Sequence, residues 1–354
     1  MLTTVYIRSG HGFNRLVHTH FQQARQWVDE SDEFLDTLSN AILQSPPDYR
    51  GIGYGTEIAL FLLMTPNLKV LDLGVFSVSG HRASLLRCMF EHAAWSLNTR
   101  AFDDTMPLFG PLLRLEQLRI NKVRFSWIEF MLAHPGVSTL RLFESTWQAS
   151  DVSTISTRPP YLKHLYCFEC VIDVEGIADI LTRFPNLETL QIIRRVVDGI
   201  PVDYHIVGDC LRRFGKHLKR LTLWKDIHNT KTGCHPRGRI GSLKDLVYLT
   251  DLSIYYSALV LDNNKLAKPG DYVALPLDLS EVLPTSLERL KLVGEETLEP
   301  GFDIQLLTLL KSDEATKLRS IRVEEGIPSS ICGEDLPPQW TLAGDYRDTL
   351  VRRR

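Results

Sequence analysis

The chain has 354 residues, 44% hydrophobic and 23% charged, the proportions of an ordinary folded protein. A formal net charge of −3 supplies no global attraction to nucleic acid or an acidic membrane, and no apolar run approaches the ~20 residues of a membrane span. Residues 1–18 lack the apolar centre of a signal peptide. The six cysteines (Cys88, Cys167, Cys170, Cys210, Cys234, Cys332) form no disulfide-like framework, so a reducing, cytoplasmic or nuclear compartment is expected.

Residues 1–54 are expected to form an N-terminal cap or degenerate repeats. Leu2-Thr-Thr-Val5-Tyr-Ile7 alternates like a strand. Phe34, Leu35, Leu38, Ile42 and Leu43 fall at helical spacing, and Pro46-Pro47 stops that helix. Gly51-x-Gly53-x-Gly55 precedes a helical stretch at 57–64, but its spacing matches neither a dinucleotide nor a P-loop motif and reads as a turn. Thr65-Pro66-Asn67 then turns the chain into Leu68-x-x-Leu71-x-Leu73.

That phrase, apolar at its first, fourth and sixth places, returns eight times. It stands at Leu115/Leu118/Ile120, Val137/Leu140/Leu142, Leu162/Leu165/Cys167 and Leu187/Leu190/Ile192. It continues at Leu218/Leu221/Leu223, Leu249/Leu252/Ile254, Leu287/Leu290/Leu292 and Leu318/Ile321/Val323. After a first step of 47 residues, the spacings are 22, 25, 25, 31, 31, 38 and 31. Leucine-rich repeats run at roughly 20–29 residues, so the longer steps carry insertions. Places four and six lie on one face of a strand, and a single strand cannot bury that face alone. Helical stretches ending in Pro-Asn or Pro-Gly precede the strands at 68, 137 and 187, so each unit reads helix, tight turn, strand.

The expected fold is therefore α/β, a leucine-rich-repeat solenoid over 55–325. It is a horseshoe with parallel strands on the concave face and helices on the convex face. Irregular loops are expected at 74–111 (with a helix near 82–95), 225–247 and 258–286. A C-terminal cap with a basic tail, Arg352-Arg353-Arg354, fills 326–354.

The phrases at 65–73 (TPNLKVLDL), 184–192 (FPNLETLQI), 283–292 (LPTSLERLKL) and 240–254 (IGSLKDLVYLTDLSI) resemble the leucine-rich regions of fungal F-box proteins. The resemblance implies a substrate-recognition subunit of a cullin-type ubiquitin ligase, with the F-box adaptor as a partner. An F-box opens with a Leu-Pro helical module, and residues 1–50 contain none.

Alternation points the residues beside the buried places outward on the strand face. The place between the fourth and sixth holds Arg119, Arg141 and Tyr166, and the place after the sixth holds Phe143, Phe168, Trp224 and Tyr255. Arginines interleaved with aromatics have the composition of a protein-binding hot spot, and these seven are the candidate site. Cys167-x-x-Cys170 has no second pair with which to hold zinc, and Cys170 stands at the ninth place, where a side chain bonds the turn backbone. His18-x-His20 and Cys234-His235 read as surface residues, and the basic loop at 231–239 as solvated. No catalytic, metal or cofactor motif is recognisable. The expected function is non-catalytic binding of a protein, with no cofactor, nucleic acid or membrane. A free-standing leucine-rich-repeat scaffold or inhibitor and an enzyme with an unrecognised pocket are the alternatives.

Overall fold

The computed structural model describes residues 4–6, 62, 67–75, 87, 89–91, 93–94, 97, 112–125, 128–148, 161–194, 203–225, 238–260, 278–293, 302–313, 316–324, 326–328, 331, 336–343 and 348–353. The chain divides into two compact units. Unit one is Met1–Thr146 with Ser150–Leu162, and unit two is Trp147–Ala149 with Lys163–Arg354.

Every repeated phrase is a strand, and the apolar periodicity explains why. None of the residues at the first, fourth and sixth places of the nine phrases is more than 4% exposed. Burial of this kind is worth roughly 1.5–3 kcal/mol per large aliphatic side chain, and a slip of one residue would turn the whole row outward.

Among the described residues of unit one, four parallel strands stand in the order β1 (Thr4–Tyr6), β2 (Val70–Val75), β3 (Gln117–Asn121) and β4 (Thr139–Phe143). Leu71, Leu118 and Leu140 stand in register, and the backbone of Val5 pairs with that of Leu71. Leu2–Ile7 thus contributes a strand to the stack. Residues 87, 89–91 and 93–94 are helical, within the stretch expected to be so, residue 97 is helical just beyond it, and a short α1 (Glu129–Leu132) precedes β4.

The boundary between the units first falls within β5 (Thr146–Trp147), and the chain enters unit two for good at Lys163. In unit two, β6 (His164–Ile172), β7 (Thr189–Arg194), β8 (Arg220–Lys225), β9 (Asp251–Tyr255), β10 (Arg289–Val293) and β11 (Ser320–Val323) are parallel and consecutive. Leu165, Leu190, Leu221, Leu252, Leu290 and Ile321 form their common buried row.

One turn geometry recurs before the strands. The amide of the first-place residue donates to the carbonyl three residues back, as in Leu187 to Phe184 (3.0 Å), Leu218 to Gly215 (3.0 Å) and Leu249 to Leu246 (2.9 Å). The second-place carbonyl then accepts two amides from the next phrase. Lys163 O receives Glu188 N and Thr189 N, and Glu188 O receives Lys219 N and Arg220 N. Neighbouring phrases are locked in register before their strands begin.

The connecting helices bury apolar stripes of their own. Helix α2 (Val174–Arg183) buries Val174, Ile177, Ile180 and Leu181, a helical stripe. Helix α3 (Tyr204–Phe214) buries Tyr204, Val207, Cys210 and Leu211 and packs beside α2. Both open on an aspartate cap. Asp173 accepts from Gly176 N at 2.6 Å, and Asp203 accepts from His205 N at 2.9 Å.

The segment before β9, expected to be irregular, carries no helix in its described part, 238–250, and two expectations about later segments are corrected. Ile240, Leu243 and Leu246 are buried there instead, with Ile240 N bonded to Ala258 O and Leu243 N to Val282 O. Apolar residues three apart anchor that chain without a helix. The ends of the 258–286 loop are helical, as α4 (Tyr256–Val260) and α5 (Leu279–Val282), the latter capped by Asp278, and α6 (Phe302–Lys311) follows. The basic tail begins inside a strand. β12 (Trp340–Ala343) and β13 (Thr349–Arg352) pair antiparallel, β13 adds to β11, and buried Leu350 stands against Ile321.

A strand-face trough as the candidate functional site

In unit two, the strand face opposite the leucine row forms an open trough of about 420 Å³. Two ladders of side chains run along this face, and all of them except His164 line the trough. The upper ladder, the place between the fourth and sixth, reads Tyr166, Gln191, Thr222, Ser253, Lys291, Arg322. The lower ladder, the place before the fourth, reads His164, Thr189, Arg220, Asp251, Arg289, Ser320. Thr349 of β13 closes the far end.

The chemistry changes along the trough. At one end the rings of Tyr166 and Phe168 stack almost parallel, 6.4 Å apart. His164 Nδ1 lies 3.1 Å from Thr189 Oγ1, and burial lowers the pKa of that imidazole. At the other end the side chains are ionic. Arg289 is bonded to Asp251, which raises its pKa. Lys291 pairs with Glu324 at 3.2 Å and Arg322 with Asp348 at 2.9 Å. Exposed pairs of this sort contribute at most about 1 kcal/mol each, so their main effect is to set the charge pattern of the face.

Unit one has its own strand-face cluster. Asp72, Arg119 and Arg141 stand in register, Arg119 Nη1 pairs with Asp72 Oδ2 at 3.2 Å, and the Arg119 guanidinium lies 5.9 Å from the Phe143 ring centre.

Of the seven expected site residues, Arg119, Arg141 and Phe143 are half-buried together on the unit-one face, and Tyr166 and Phe168 are half-buried together on the unit-two face. Trp224 stands on β8, with its side chain outside the described residues. Tyr255 is a correction. Its side chain is only 6% exposed. The strand alternation ends at Ile254, because the chain enters α4 at Tyr256, and Val293, its partner on β10, is buried as well. The residues missed are those of the lower ladder, Arg220, Asp251 and Arg289. The same two-residue alternation puts the place before the fourth on the open face.

Cys167 and Cys170 are buried free thiols. Cys170 Sγ donates to Phe168 O at 3.4 Å, following a left-handed Glu169 (φ 53°). Ser145, at the ninth place of its own phrase, bonds Phe143 O after a left-handed Glu144 (φ 46°). The ninth place thus closes a tight turn in both repeats. The hydrogen bond with Cys170, followed by burial, pushes the Cys167 thiol well above its ordinary range, the reverse of what a nucleophile or metal ligand needs. Among the described residues, no three of His, Cys, Asp and Glu converge as metal ligands would. No described helix is long and apolar enough to cross a membrane. The Gly51–Gly55 turn, His18-x-His20 and Cys234-His235 lie outside the described residues.

No protein-family model and no curated protein matches this chain.

Proposed function

We propose that the chain is a leucine-rich-repeat protein of the horseshoe class whose strand face binds another protein without catalysing a reaction. The trough of unit two is the observation that supports this most. Six parallel strands present side chains that vary from repeat to repeat over a uniformly apolar buried row, so surface chemistry is free to specialise without cost to the core. A stacked Tyr166–Phe168 pair at one end and arginines at the other supply the residue types that dominate protein-binding hot spots. The resemblance of the repeat phrases to fungal F-box proteins narrows the role to target recognition for a cullin-type ubiquitin ligase.

The test is affinity purification of the tagged protein from its native cells, with co-purifying proteins identified by mass spectrometry. It is repeated with Tyr166→Ala after circular dichroism has verified that variant's fold. A partner recovered with the parent chain and lost with the variant is expected. Co-recovery of the F-box adaptor and a cullin would support the ligase role, whereas a stable partner without them would leave a free-standing binder. A partner set unaltered by Tyr166→Ala and by Lys291→Ala would refute binding through this face.

A further inference from the structure

Carboxylates match the cations of the trough unevenly. Asp251 is the sole carboxylate of the lower ladder, and its backbone neighbours are two arginines, Arg220 on β8 and Arg289 on β10. Its two oxygens are both engaged. Oδ1 is bonded to Arg289 Nε, and Oδ2 accepts Thr250 Oγ1 at 2.7 Å. Lys291 and Arg322 hold Glu324 and Asp348. Arg220 is exposed and has no carboxylate within ion-pair distance among the described residues. On its other side stands Thr189, bonded to His164. Ser253, on the adjacent strand, has a buried Oγ with no hydrogen-bond partner.

Water satisfies an exposed guanidinium in the free chain. Once a partner covers the trough, an unmatched arginine becomes a desolvated charge, which is costly unless the partner pairs with it. The planar fork of five N–H donors fits a carboxylate with two parallel bonds.

We infer that the segment occupying this trough presents an aspartate or glutamate side chain to Arg220. The inference rests on reading this face as a protein-binding surface. The ladder then alternates partner carboxylate, Arg220, Asp251, Arg289, so every arginine of the row has an anion beside it. The aromatic end accepts the apolar part of the same segment.

The experiment selects a displayed library of random 12-residue peptides on the full chain and measures the selected sequences as synthetic peptides by fluorescence anisotropy. Selected peptides are expected to share an acidic residue at one position. Arg220→Gln should weaken them about tenfold or more, as expected for a buried interfacial ion pair. Replacing that acidic residue by its amide should cost the same factor against the parent chain and little against Arg220→Gln, the signature of direct pairing. Peptides without an acidic residue, or with full affinity for Arg220→Gln while losing affinity for Tyr166→Ala, would overturn the inference and leave the face reading standing. Peptides indifferent to both substitutions, or a library that yields no binder, would overturn both. Circular dichroism of each variant separates loss of pairing from loss of fold.

Discussion

Gly208 sits in the middle of α3, where replacing glycine by alanine ordinarily stabilises a helix by about 0.5–1 kcal/mol. The opposite is expected here. A Cβ at this position would lie 1.8 Å from Ile240 O and 2.7 Å from the Ile240 carbonyl carbon, whereas carbon atoms rest at about 3.5–4.0 Å. The obstacle is backbone, and it is pinned. Arg212, one turn along, donates to Ile240 O at 2.7 Å and to Ser242 O at 3.1 Å. Moving the helix away strains those charge-assisted bonds, worth roughly 1.5–3 kcal/mol, and overpacking itself costs roughly 1–3 kcal/mol. After the helix-propensity gain, Gly208→Ala should destabilise the chain by about 2–4 kcal/mol. Urea titration followed by circular dichroism should show a lower midpoint at unchanged slope. Gly208→Ala as stable as the parent would refute the close approach of α3 to residue 240, and with it the account of how the helix-free connection before β9 is held.

Two further outcomes can be checked. Leu221 is 1% exposed at the centre of the unit-two leucine row, and Leu221→Ala should cost roughly 2–5 kcal/mol in the same titration; a negligible loss would contradict the buried row. His134 is buried, its Nδ1 accepts Gly136 N at 3.1 Å, and burial drops its pKa from 6.5 to about 4. Between those values the unfolded chain binds a proton that the folded chain does not. The neutral ring's contribution is therefore complete above pH 6.5 and is lost as pH falls to about 4, by roughly 3 kcal/mol in all. Stability measured against pH should fall less steeply in His134→Gln, and identical curves would show that another group governs acid unfolding.

Strand placement was legible because the signal is dense and local. All nine phrases carry the same alternation, and each became a strand with one buried face. Tyr255 was misread because alternation orients a side chain only while the strand lasts, and the onset of α4 lies outside the phrase. The connections were harder still. Ile240, Leu243 and Leu246 are buried in a helix-free segment, yet their spacing equally suits a helix face, and only bonds such as Ile240 N to Ala258 O in α4 and Leu243 N to Val282 O in α5 distinguish the two.

Arg220 marks the boundary most sharply. Leu218-Lys-Arg220-Leu221 and Leu287-Glu-Arg289-Leu290 are nearly the same phrase, and both place an arginine on the open face. One arginine is bonded to Asp251 and the other is not, although both stand beside it in the ladder. The apolar periodicity, a covalent property of each short stretch, determined by itself where the strands lie and which face they bury. The pairing of charges 31 and 38 residues apart depends on which strands stand side by side and on how their side chains are oriented, so tertiary structure alone decided which arginine is paired.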